Sequence, residues 1–72
     1  MNEHVVWDAF KIKKLRARYG ETRAQFALRL RLCVGTIRNW EQGLGLPIGP
    51  AQVVLDRLEQ DLDAKIRELQ SA

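Results

Sequence analysis

Between Thr22 and Gly43 the chain allows little besides two short helices joined by a tight turn. Thr22 is placed to cap a helix, and Gln25, three residues on, completes a capping box in which each side chain satisfies the other residue's free backbone amide. The helix so started is predicted over 23–30. After a turn at Arg31 and Leu32 a second helix is predicted from about Cys33, and Gly43 supplies its left-handed stop. Helical spacing puts Ala24, Ala27 and Leu30 on one face of the first helix, with Phe26 at its edge and Arg23 and Arg29 off it. In the second helix Ile37 and Trp40 are predicted to be buried, which leaves Val34, Gly35, Arg38 and Asn39 toward solvent or a ligand.

The flanking segments read as helices too. Phe10, Ile12, Leu15 and Tyr19 recur at helical intervals with Lys11, Lys13, Lys14, Arg16 and Arg18 between them, so an amphipathic helix is predicted over 8–19, stopped by Gly20. Its cations cannot all face one partner, because the 3.6-residue period sends them round the cylinder. Two glycines and a proline make 44–49 a loop. Pro50 suits the first position of a new helix, with Gly49 as cap and Ile48 stapled onto Val53. From Ala51 to about Gln70 nothing breaks the helix, which at 1.5 Å per residue runs roughly 30 Å. The fold class predicted is all-α: a small helix-turn-helix domain of four to five helices with a long C-terminal helix. Residues 1–72 form a single domain with its core in 8–58.

Composition narrows the function. With 72 residues the chain is near the lower size limit of a self-sufficient core, so a homodimer is expected. The single cysteine, Cys33, excludes an internal disulfide, and with His4 as the one histidine there is no zinc-ligand set. No metal or cofactor is expected. Nor is an enzyme: no histidine is positioned to activate Cys33, which is read as structural, and Asp56, Glu59, Asp61, Asp63 and Glu68 lie around one solvent-facing helix without forming a pocket. No apolar run reaches membrane-spanning length and no secretion signal opens the sequence, so a cytoplasmic protein is expected. Residues 1–43 hold nine Lys and Arg against four acids, whereas residues 44–72 hold three against five. Basicity concentrated on one segment is the electrostatic footprint of a nucleic-acid binder, although a solvated helix exterior produces the same count.

The residues Ile12-x-x-Leu15-Arg16, Gly20, Thr22, Phe26-Ala27, Thr36-Ile37, Trp40-Glu41-x-Gly43 and Pro47 stand in the register of the phage-repressor-like (Cro/cI, Xre) helix-turn-helix regulators, which the chain resembles over about Ile12 to Leu58. The segment Ile37 to Gly43, followed by Pro47-x-Gly49-Pro50-Ala51, is similar to HigA-type antitoxins. Three positions depart from the family pattern. Arg31 replaces a glycine at a left-handed turn position, at about 1 kcal/mol. Cys33 stands where Ser or Thr usually caps the second helix, and Glu21 where a core leucine is usual.

The resemblance implies a transcriptional repressor that binds double-stranded DNA as a homodimer, on a palindrome whose half-sites lie about one turn, roughly 34 Å, apart. The second helix then reads the major groove. Asn39 is suited to adenine, Arg38 to guanine or a phosphate, and Val34 to a thymine methyl; Gly35 permits close approach. Arg23 holds the phosphate-clamping position, and Thr22 and Thr36 can donate to phosphates. The bland alternatives are solvent exposure for Arg38, a helix-end hydrogen bond for Asn39 and a pure capping role for Thr22. For dimerisation the candidates are Leu55, Leu58, Leu62, Ile66 and Leu69 on the helix at 50–70, against the alternative that they fold back on their own subunit. Trp7 either caps the core or lies at the dimer contact. The competing function is an antitoxin or adaptor module that binds a toxin or other partner protein.

Overall fold

The computed structural model describes residues 7–70, and these form four helices and no strand: α1 (Ala9–Tyr19), α2 (Arg23–Leu30), α3 (Val34–Glu41) and α4 (Pro50–Gln70). The helix ends follow local chemistry. Asp8 caps α1 by accepting from the Lys11 amide at 2.8 Å, and Gly20, at φ 67°, closes it. At the start of α2 both halves of the capping box are present: the Thr22 hydroxyl accepts from the Gln25 amide at 3.1 Å, and the Gln25 side chain accepts from the Thr22 amide at 2.9 Å. Arg31 ends α2 at φ 59° and is the one non-glycine residue with positive φ among those described. The turn survives that strain because the Leu32 amide donates to the Ala27 carbonyl and the Arg31 amide to the Leu28 carbonyl, which satisfies the helix's last acceptors. Cys33 precedes α3 without a side-chain cap, and Gly43, at φ 77°, lets the Leu44 amide turn back to the Asn39 carbonyl.

The core draws on every element: Ile12 and Leu15 from α1, Phe26 and Ala27 from α2, Ile37 and Trp40 from α3, and Leu55 from α4. Trp7 completes it. Its ring is buried, its indole N–H donates to Asp56 at 2.7 Å, and the Lys11 ammonium sits 4.3 Å from the ring centroid. Of the two alternatives for Trp7, the structure places it in the core.

Several expectations are corrected. Phe10 is 72% exposed, because Ile12, Leu15 and Tyr19 define the buried stripe of α1 and a two-residue step carries Phe10 about 200° from Ile12. Ala24 is exposed for the same reason, and Phe26 is the centre of the buried face of α2 rather than its edge. Ile48 and Val53 are both exposed, so no staple opens α4; the Gln52 amide group instead donates to the Pro47 carbonyl at 2.9 Å. Cys33 is exposed, not buried. The acids of α4 are not all solvated. Asp56 holds Trp7, while Glu59 pairs with Lys11 at 2.8 Å and Asp63 with Arg18 at 2.7 Å, so long side chains tie α4 to α1. Tyr19 joins them by donating from its hydroxyl to the Leu58 carbonyl at 2.8 Å.

That docking decides what α4 has left for a partner. Leu55 is fully buried in its own protomer, so it is withdrawn as a dimer contact, and Leu58 and Leu62 are partly buried against the same core. Ile66 and Leu69 remain exposed.

Because Arg31 adopts a left-handed conformation that glycine reaches without strain, Arg31→Gly is expected to stabilise the fold by about 1 kcal/mol. Urea unfolding followed by circular dichroism measures it.

Candidate nucleic-acid interface

The exposed side of α3 follows from what its other side buries. With Ile37 and Trp40 in the core, Val34, Arg38 and Asn39 face outward, and Gly35 and Thr36 are half-buried beside them. The Asn39 carboxamide makes no hydrogen bond among the described residues; its backbone carbonyl, not its side chain, serves the helix end. Arg38 likewise has no ion pair among the described residues. Gly35 has no internal reason to be glycine: a Cβ built there meets nothing within 4 Å, and its φ is not positive.

Beside α3 lies a buried charge that sequence reasoning missed. The Glu41 side chain is 0% exposed, yet it ends α3 facing two arginines. Arg16 from α1 donates through Nε and Nη2 at 2.6 and 3.0 Å, one to each carboxylate oxygen, and Arg23 from α2 donates through Nε at 2.9 Å. Arg16 also donates from Nη1 to the Glu21 carbonyl at 2.9 Å. One carboxylate thus ties three helices together. The signal was present in the sequence, since Glu41 stands four residues after Ile37 and one after Trp40, on the inward face. Burial pushes the Glu41 carboxyl up, but the hydrogen bonds from Arg16 and Arg23, with their charges, outweigh it and hold the group below its ordinary value.

Arg23, at the first position of α2, is therefore oriented from behind while its side chain stays 38% exposed. Thr22 beside it is the helix cap. Other cations are engaged elsewhere. Arg29 forms a two-pronged pair with Glu21 at 3.1 and 2.7 Å and lies 4.2 Å from the Tyr19 ring centroid. The Glu21 carboxyl is held low by the Arg29 hydrogen bond, so Glu21 carries an ion pair. Burial raises the Tyr19 phenol, which keeps its proton for Leu58. Lys11 and Arg18 pair with acids of α4 and Arg29 with Glu21, while Arg16 and Arg23 share the one charge of Glu41, so that cluster stays net positive; the cations before Gly43 without an ion pair among the described residues are Lys13, Lys14, Arg31 and Arg38. Two of these four lie in the α2–turn–α3 unit. The structure thus brings Arg23, Val34, Gly35, Thr36, Arg38 and Asn39 onto two adjoining short helices.

A carboxyl whose pKa is depressed by folding stabilises the fold above its ordinary value of 4.5 and loses that contribution as pH falls below it through the folded value. Acid titration of the unfolding free energy is expected to show this loss in the wild-type chain and a shallower slope in Glu41→Gln. At neutral pH Glu41→Gln is expected to destabilise by about 2 kcal/mol, toward the low side for a broken buried pair because both arginines keep partial contact with water.

No helix among the described residues is long and apolar enough to cross a membrane. No protein-family model, curated protein or solved structure matches the chain.

Proposed function

We propose that this protein is a sequence-specific double-stranded DNA-binding regulator, a repressor that acts as a homodimer on a palindromic operator. The observation that carries the reading is Gly35. A glycine in the first turn of a helix costs backbone entropy against alanine, though less than the roughly 0.5–1 kcal/mol of an interior position, and nothing among the described residues requires it here. It lies between Val34 and the outward pair Arg38 and Asn39, where a missing side chain lets the helix backbone approach a surface such as the floor of the major groove. Arg23, steadied by Glu41 at the N-terminus of α2, supports the reading as a phosphate contact, since the helix dipole adds to its attraction for an anion.

In this mechanism no bond is made or broken. Arg23 and Thr36 fix the register on the backbone, and Asn39, Arg38 and Val34 read base edges. Occupancy of the operator excludes polymerase.

The test uses point variants and short duplexes. Gly35→Ala is expected to stabilise the free protein by up to about 0.5 kcal/mol while weakening DNA binding, opposite signs that a purely structural role does not produce. Arg38→Ala and Asn39→Ala are each expected to lose about 1–3 kcal/mol and to relax preference at one base position. Arg23→Ala is expected to weaken all sequences alike and to reduce the salt slope by about one. Unchanged sequence preference in both Arg38→Ala and Asn39→Ala contradicts the reading.

A further inference from the structure

From Gln42 to Leu55, fourteen consecutive residues carry no charge, in a chain of which 29% is charged. Among the described residues, five of the eleven exposed large apolar side chains fall in that run: Leu44, Leu46, Ile48, Val53 and Val54. Ile48 is 77% exposed and Val53 66%. Next to them Leu32 and Val54 flank a shallow apolar groove floored by Leu30, Trp40, Pro50 and Ala51. Leu32, Leu44, Leu46, Ile48, Val53 and Val54 together expose on the order of 500 Å², more than half of the roughly 800 Å² that each partner contributes to a stable interface.

We infer that this surface, Leu44 to Val54 with Leu32, is where two copies of the chain pair about a two-fold axis. The choice of a second copy as occupant rests on the DNA-reading proposal, which needs a dimer; the surface itself is chosen on independent grounds. A two-fold contact sets a patch against itself, so any charge at its centre meets its own like. A neutral patch is self-complementary, and interface centres are depleted of charge. The C-terminal stripe of α4 is the weaker candidate. Leu55, Leu58 and Leu62 serve their own core, and Ile66 and Leu69 remain with Lys65 beside them.

Sedimentation equilibrium of the full chain without DNA tests the inference. At roughly 50 µM the wild-type chain is expected to be dimeric. The double variant Ile48→Asp/Val53→Asp is expected to raise the dissociation constant by about 100-fold or more, because four carboxylates then face one another across the axis. Ile66→Asp/Leu69→Asp is expected to leave it within about threefold, as for substitutions outside an interface. Leu44→Lys, in the loop and outside any helix, is expected to weaken the dimer as well, so the result does not depend on α4 tolerating aspartate. Helical circular dichroism confirms the fold of each variant. A wild-type chain that stays monomeric overturns the inference. So does a dimer lost only in Ile66→Asp/Leu69→Asp. A monomeric Ile48→Asp/Val53→Asp that still prefers one half-site duplex upholds both proposals, whereas a dimer that follows these predictions but is indifferent to DNA sequence contradicts the DNA reading alone.

Discussion

The Glu41 carboxylate is the point on which the arrangement of the first three helices depends. A buried charge of this kind is stable only where its partners are placed well enough to offset desolvation, and here Arg16 and Arg23 supply three hydrogen bonds from two helices. Apolar contacts among Ile12, Phe26, Ile37 and Trp40 supply most of the driving force, but they are tolerant of rotation. The carboxylate is directional. It fixes the end of α3 against the start of α2, and so sets which side chains of the two helices share a surface.

The long helix α4 plays a complementary part. Through Glu59, Asp63 and Asp56 it takes up Lys11 and Arg18 of α1 and the indole of Trp7. Surface pairs of this sort contribute little stability individually. Their larger effect is on the field: they neutralise one side of α1, whereas Arg31 and Arg38 around the α2–α3 turn have no ion pair among the described residues. The excess of basic residues in the first 43 positions is thus a weaker guide than it looks, because five of those nine cations sit in ion pairs within the fold.

What the sequence disclosed depended on the range of the interaction. Caps and stops are local, so Thr22 with Gln25, Gly20, Arg31 and Gly43 mark the helix ends within a residue of their place. Faces were legible where a helix packs on one side, as at Ile37 and Trp40, and less so in the eleven-residue α1, where Phe10 fits the apolar count but falls off the stripe. Long-range pairing was not legible. No local pattern says that Asp56 receives Trp7 or that Glu41 receives Arg23, because these partners stand 49 and 18 residues apart. The same gap misassigned Leu55: its heptad spacing suits a helix partner, but the partner is the chain's own core. Of the candidate contacts on α3, Val34, Arg38 and Asn39 are exposed as helical period places them, while Gly35 and Thr36 are half-buried.

Selection of bound duplexes from a random library at near-physiological salt is the sharpest test of the proposed reading of DNA by α3. Enrichment of a two-fold symmetric motif with half-site centres about 10 base pairs apart is expected. Recovery of duplexes with no common motif, at an affinity set by salt alone, contradicts it.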